Sequence, residues 1–192
     1  MGFLTRYKEK SDEELMHLFQ NGDHRAFDNI YTRYKRRLFG YFMKMLWNDR
    51  ELSEDSLHDL FLKLIHRPGL FKPEFQFKAW IFKSAFNMCK NAYRRKTYQD
   101  EMLKSEGKNE TVTESIVEQK MDEEIQLNFL IENLNLLDEE LRSLFLMRYQ
   151  EEMNIAELAL IYDIPEGTVK SRLFKIRKTL SEKLKIDQNV KT

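Results

Sequence analysis

The stretch NIAELALIYDIPEGTVKSRLFKIRKTL, residues 154–180, is where the fold is most legible. It reads as a short helix, a tight turn and a long basic helix that continues through SEKL to Leu184. Ile155, Leu158, Ala159 and Tyr162 stand at helical spacing, and Pro165 suits the first turn of the next helix, where its missing N–H costs nothing. Val169, Leu173, Ile176, Leu180 and Leu184 then recur at steps of four, three, four and four, one stripe of a 3.6-residue period. That stripe is expected to pack on its domain. At roughly 100° per residue, Ser171, Phe174, Lys175 and Lys178 fall opposite it, with Lys170, Arg172 and Arg177 on the flanks. A solvent-facing Phe among cations suits a helix in a DNA major groove: cations neutralise phosphates, Lys reaches guanine O6 and N7, and the ring meets a thymine methyl. A merely solvated basic helix is the plain alternative. The helix and turn ahead of it favour a helix-turn-helix on DNA.

Composition bounds the rest. A chain of 192 residues with 42% hydrophobic content holds one large or two small domains. Few Gly and Pro, and many Leu, Lys, Glu and Phe, point to an all-α protein. The single cysteine, Cys89, excludes an internal disulfide and a multi-cysteine zinc site, as expected in a reducing cytoplasm. No apolar run reaches the ~18 residues of a membrane span. The N-terminus lacks a signal-peptide core, and Arg6 stands where myristoylation needs Ser or Thr. A soluble, cytoplasmic protein without membrane insertion is expected.

The formal net charge is zero, but charge is segregated. Residues 1–100 carry 19 Lys and Arg against 13 Asp and Glu, whereas residues 101–137 carry 3 against 9. From residue 138 to the end there are 10 of each, with the cations gathered in the last helix. This predicts two basic lobes on an acidic connector, binding DNA weakly alone and depending on a larger partner. The connector, QDEMLKSEGKNETVTESIVE, has linker composition, with a frayed helix as the alternative. The expected boundaries are 1–98 for the first lobe, 99–120 for a flexible acidic linker, 121–186 for the second lobe and 187–192 for a tail. In the second lobe Met121, Ile125, Phe129 and Leu130 open a helical pattern. Asp138 then caps a helix to Tyr149 with Leu141, Leu144, Phe145 and Tyr149 inward.

The first lobe reads as four helices. Ser11 and Glu14 form a capping box ahead of Leu15, Leu18 and Phe19. Asp23 to Leu46 is one helix with Phe27, Ile30, Tyr31, Tyr34, Leu38 and Tyr41 inward. Its Arg33, Lys35, Arg36 and Arg37 make a solvated face, with phosphate contact as the sharper reading. Ser53 is the expected cap of a third helix to His66, with Leu57, Leu60, Phe61, Leu64 and Ile65 inward. Asp55, Asp59, Leu62, Lys63 and His66 point away from that stripe. Glu54, Asp55, His58 and Asp59 have i, i+4 metal-ligand spacing, but no second ligand cluster supports them, and acidic first turns are ordinary helix starts. An outward Leu62 among charges fits a protein-docking face with an apolar centre.

The fourth helix, FKAWIFKSAFNMCKNAYRRK, turns Ile81, Phe82, Ala85, Phe86, Cys89, Ala92 and Tyr93 inward. Trp80, Ser84, Asn87, Asn91 and Arg94 align opposite, flanked by Lys83 and Lys90. Stacking ring, amides and cations on one face suit nucleic acid. The preceding loop, Phe71-Lys72-Pro73-Glu74-Phe75-Gln76-Phe77, offers aromatics for unstacked bases. The competing reading has Trp80 and the Phe residues closing the core.

At this point the chain resembles the bacterial alternative sigma factors of the extracytoplasmic-function type, the two-domain form of the sigma-70 family. SEDSLHDLFLKLI is similar to the family's AED-x-x-Q-[DE]-x-F-L-x-L segment, with Ser56 in place of an aliphatic residue and His58 in place of Gln. FKAWIFKSAFNMCKNAYRRK resembles its tryptophan-bearing helix, with Asn91 where Asp is commoner, and IPEGTVKSRLFKIRKTL its helix-turn-helix motif. The resemblance implies a factor that docks on core RNA polymerase through Asp55, His58, Asp59, Leu62 and Lys63. It implies reading and opening of the −10 promoter element by Phe75, Trp80, Lys83, Asn87, Lys90, Asn91, Arg94 and Arg95. It places Thr168, Lys170, Ser171, Arg172, Phe174, Lys175 and Lys178 on the −35 element. An anti-sigma factor is an expected partner, and no metal, cofactor or catalytic residue is implied. The rival reading is a one-component helix-turn-helix regulator, which would bind its operator without polymerase.

Overall fold

A computed structural model of the chain describes residues 5–105, 134 and 137–190, and among them there are helices and turns but no strand. The helices are α1 (Thr5–Lys8), α2 (Asp12–Gln20), α3 (His24–Met45), α4 (Arg50–His66), α5 (Phe77–Ser105), α6 (Glu139–Tyr149), α7 (Ile155–Tyr162) and α8 (Glu166–Val190). The expected pattern at Met121 to Leu130 lies outside the described residues, as does the Leu184 side chain.

Local chemistry starts each helix. At α2 the Ser11 Oγ accepts from the Glu14 N–H at 3.1 Å while the Glu14 carboxylate accepts from the Ser11 N–H at 2.8 Å. Gly22, at φ +95°, makes the turn into α3, which Asp23 caps. Ile30, Tyr34, Leu38 and Tyr41 are buried along α3 as their spacing requires, but Tyr31 is exposed on the rim and packs edge-on against Phe61 at 4.8 Å. Helix α4 starts earlier than expected. Asp49 is its cap, accepting from the Leu52 N–H at 3.0 Å, and Ser53 is buried one turn in with its hydroxyl on the Asp49 carbonyl at 2.6 Å. Ile65 is exposed rather than inward, at the edge of the stripe that Leu60, Phe61 and Leu64 bury.

Helix α5 begins on a borrowed cap: Glu13 of α2 accepts from the Phe77 N–H at 2.8 Å. It then runs to Ser105, seven residues past the expected end of the lobe at residue 98. Residues 94–105 contain neither Gly nor Pro and are mostly good helix formers, so nothing local stops it.

Asp138 caps α6, accepting from the Leu141 N–H at 2.8 Å. Leu141, Ser143, Leu144, Leu146 and Met147 are all buried, while Tyr149, expected inward, is exposed at the helix end beside Phe145. Burial spreads around α6 because α3, α5, α7 and α8 all pack against it. Helix α7 opens on an Asn154–Glu157 capping box and ends at Asp163, in the left-handed region at φ 54°. Pro165 stands one residue ahead of α8, where its carbonyl accepts from the Thr168 and Val169 N–H groups.

The two lobes, read from sequence as separate, pack together through α3 and α5 against α6 and α7. Tyr41 and Ser143 hydroxyls meet at 2.7 Å, and Tyr162 donates to the same Ser143 oxygen at 2.5 Å. Arg142, 5% exposed, donates to the Leu134 and Leu137 carbonyls and to the Tyr93 hydroxyl.

Burial raises the Tyr34, Tyr41 and Tyr162 hydroxyls well above the ordinary tyrosine range, and that of Tyr93 to about 12. Unfolded tyrosines ionise near pH 10 while these stay protonated in the fold. Their contribution is therefore complete below about pH 10 and is lost as pH rises above it, at no more than about 1.4 kcal/mol per pH unit for each of Tyr34, Tyr41 and Tyr162 and less for the partly exposed Tyr93. Denaturant titrations between pH 9 and 11 should show that decline, and Tyr41→Phe should make it shallower by one proton. An unchanged slope would refute the assignment.

Candidate nucleic-acid interface

Two outward helical surfaces carry the residues singled out from sequence. On α8, Val169, Leu173, Ile176 and Leu180 are buried, which turns Phe174 out at 63% exposure. Lys170, Ser171, Lys175 and Lys178 are exposed beside it. Lys170 and Lys178 make loose i, i+4 pairs with Glu166 and Glu182 at 4.0 and 3.8 Å, whereas Lys175 makes no ion pair among the described residues. Arg172 differs from its neighbours: half-buried, it pairs with Glu140 of α6 at 3.0 Å and anchors the helix to its lobe. Thr168 is also half-buried, with its carbonyl accepting from the Ser171 hydroxyl at 2.9 Å.

The second surface is on α5 and the loop before it. Gln20 holds that loop, donating to the Pro68 and Phe71 carbonyls at 2.9 Å each. Phe71 and Phe77 are not free for bases: both are core residues, and between them they seat Trp80. The Trp80 ring stacks on Phe77 at 5.8 Å and meets Phe71 edge-on at 5.7 Å, and it is half-buried. Of the loop aromatics only Phe75, 54% exposed, is presented to solvent. Lys83, Asn87, Asn91, Arg94 and Arg95 are exposed along the helix, and the Lys90 ammonium lies 5.6 Å from the Phe86 ring centre. Ser84 is tied to the Trp80 carbonyl at 3.0 Å.

The structure splits this surface in two. Phe75, Trp80, Lys83, Ser84 and Asn87 line a cleft of about 570 Å³ whose opposite wall is α7, with Asn154, Glu157, Leu160 and Ile161. Asn91, Arg94 and Arg95 lie further along α5 and do not line the cleft. Of the residues expected to dock on a partner, Asp55, His58, Asp59 and Lys63 are exposed on α4 and Leu62 is half-buried, and Ile65 is an exposed apolar group on the same helix.

The basic run on α3 is only partly a solvated face. Arg33 pairs with Asp12 at 2.6 Å, and Arg37 pairs with Glu151 at 2.6 Å across the lobe interface. Sequence reasoning missed Arg37, Glu151, Ser143 and Tyr162 as links between lobes. Nothing local marks a Glu that will be buried, so only the packing reveals it. No helix among the described residues is long and apolar enough to cross a membrane.

A family model for sigma-70 region 2 matches residues 30–98, and one for sigma-70 region 4 matches residues 130–180. The chain is 25% identical over 185 residues to the ECF RNA polymerase sigma-E factor of Haemophilus influenzae, covering 92% of this chain and 97% of that one. It is 26% identical to the ECF RNA polymerase sigma factor SigW of Bacillus subtilis, over 86% of this chain and 92% of that one. The solved structure of CnrH in complex with the cytosolic domain of CnrY shares the fold, with a TM-score of 0.70 at 20% identity over 93% of this chain and 99% of that one. So does the sigma factor RpoE in complex with the anti-sigma factor NepR from Bartonella quintana, with a TM-score of 0.66 at 22% identity over 84% and 98%.

Proposed function

Because this chain belongs to the sigma-70 family, as a factor of the extracytoplasmic-function type, we propose that its two outward surfaces divide promoter recognition between them. The protein is an RNA polymerase sigma factor that docks on core RNA polymerase, recognises −35 and −10 promoter elements and opens DNA for initiation. The observation that supports this division is the pairing of an outward Phe174 among cations on α8 with a Trp80 seated on two core Phe rings on α5.

In this reading α8 enters the −35 major groove. Lys170, Lys175 and Lys178 meet phosphates or guanine edges, Ser171 donates, Phe174 covers a thymine methyl, and Arg172 and Thr168 hold the helix in register. Trp80 stacks against the −10 duplex at the point of opening, Asn87 and Asn91 read base edges, and Phe75 holds an unpaired base. Lys83, Lys90, Arg94 and Arg95 track the backbone. Asp55, His58, Asp59, Leu62 and Lys63 dock on core polymerase. Melting makes and breaks no covalent bond, so no residue is assigned a catalytic role. The protein acts in the cytoplasm, where polymerase meets the chromosome, and an anti-sigma factor holds it inactive.

Run-off transcription on genomic fragments tests this. Product is expected only when core polymerase and the factor are both present, and a specific operator complex formed without polymerase would overturn the reading in favour of a self-standing regulator. Lys175→Ala is expected to weaken use of the upstream element uniformly across promoters and to lower the salt dependence of binding by about one phosphate contact.

A further inference from the structure

We propose that the far end of α5 is a propped arm that carries Tyr98 onto the DNA backbone just upstream of the −10 element, with Trp47 as the residue that positions it. The inference rests on the assignment of the α5 face to the −10 element.

Tyr98 continues the outward stripe of α5. Trp80, Ser84, Asn87, Asn91 and Arg94 recur at steps of four, three, four and three, and Tyr98 follows four residues on. Tyr98 stands 18 residues after Trp80, and at roughly 100° per residue that is about five full turns, so the two rings share one line ~27 Å apart along the axis. Tyr98 is 69% exposed and makes no hydrogen bond or ring contact among the described residues. Arg94 and Arg95, one turn before it, are exposed as well. With Trp80 at the point of opening, the helix runs back from it along intact duplex. Tyr98 then reaches ~10 Å past Asn91, about three base-pair steps of ~3.4 Å. A tyrosine hydroxyl there donates to a phosphate oxygen and fixes register without reading sequence. An exposed ring also suits a protein contact, but alignment with Trp80 and the adjacent arginines favours DNA.

Such a contact needs a stiff arm. Tyr93 is the last described α5 residue packed against the core, and a short helical segment without packing is marginal in water. Trp47, in the turn between α3 and α4, supplies the packing. Its ring meets Tyr93 edge-on at 4.6 Å, and the Lys96 ammonium lies 4.0 Å from its centre. Tyr93 is itself pinned by donating to the Met45 carbonyl. On a helix Lys96 falls roughly 160° from Tyr98, so the prop stands on the side away from the contact. Trp47 and Asn48 both hold left-handed backbone, at φ 55° and 61°. Side chains rarely adopt that region, and it persists where the surroundings fix it. The Asn48 N–H on the Met43 carbonyl and the Asp49 N–H on the Leu46 carbonyl, each at 2.9 Å, close the turn. Glycine would suit this backbone better; the indole is there for what it supports.

The test uses holoenzyme assembled from core polymerase and the full chain: the parent, Tyr98→Ala, and Trp47→Gly, which removes the ring and suits the left-handed backbone. Binding is measured to two −10 fork-junction templates. In one the duplex ends at the upstream edge of the element, and in the other it continues for about five base pairs, enough to include a contact about three steps away. The parent is expected to bind the longer template about tenfold tighter, the effect of a hydrogen bond to a charged group. Both variants should bind the shorter template as the parent does and lose most of the gain. Trp47→Phe, which keeps a ring under Lys96, should retain part of it. If Trp47→Gly does not fold, Tyr98→Ala, at an exposed position, decides the matter. A parent indifferent to the added duplex, or variants that gain as much as the parent, would overturn the proposal. So would weakened assembly of Tyr98→Ala with core polymerase, since the ring would then serve a protein contact. A parent holoenzyme that binds neither template would strike at the −10 assignment itself, whereas normal binding of the shorter template without any gain would strike at the arm alone.

Discussion

Trp80→Ala is expected to slow open-complex formation by roughly 5- to 150-fold, following the ~1–3 kcal/mol that a base-stacking ring contributes. The ring is held in place before DNA arrives, between Phe77 at 5.8 Å and Phe71 at 5.7 Å, so little conformational freedom is lost when it stacks. Formation of the polymerase holoenzyme should be unchanged, because the docking face proposed here lies on α4. A template carrying a preformed bubble across the −10 element should recover most of the lost rate. Trp80→Phe should retain part of the parental rate, which separates loss of stacking from loss of core packing. Equal defects on bubble and duplex templates would place Trp80 outside the melting step.

Phe82→Ala is expected to cost about 3–5 kcal/mol of stability, a large share of the 5–15 kcal/mol typical of a folded chain. Phe82 is fully buried on α5, edge-on to Tyr41 at 5.5 Å, with the Arg37 guanidinium 5.7 Å from its ring centre. Tyr41 in turn meets Ser143 of the other lobe, so the cavity opens beside the interface. Thermal denaturation should show one transition at a lower midpoint; two separated transitions would mean that the lobes fold independently. Phe174→Ala, which removes an equally large ring from an exposed position, should change stability by no more than about 0.5 kcal/mol. That contrast ties the two Phe residues to different tasks.

Much of the interface was legible because helical periodicity is local. The buried stripe of Val169, Leu173, Ile176 and Leu180 places Phe174 outside by geometry alone. The same argument separates Ile81, Phe82, Ala85 and Phe86 from Lys83 and Asn87. It failed where burial depends on a second element. Phe71 and Phe77 looked like loop aromatics and are core, because Gln20 and Glu13 of α2 hold the loop down and start α5. Tyr31, Ile65 and Tyr149 sit at the edges of their stripes, where a neighbour's width decides exposure. Asp49 replaced Ser53 as the cap of α4 because an N-cap is chosen by backbone conformation as well as by side-chain type.

By itself the sequence determined the all-helical class, the capping boxes at Ser11 and Asn154, the helix-turn-helix and which side of α5 and α8 faces away from each core. These follow from periodicity and side-chain chemistry within a few turns of chain. Only the tertiary structure decided that α7 forms the far wall of the Trp80 cleft, that Glu151 is buried against Arg37, and that Arg172 serves its own lobe. Those partners are separated in sequence by 32 to 114 residues for the two ion pairs, and a contact across such spans leaves no local pattern. It exists only once packing has brought the surfaces together.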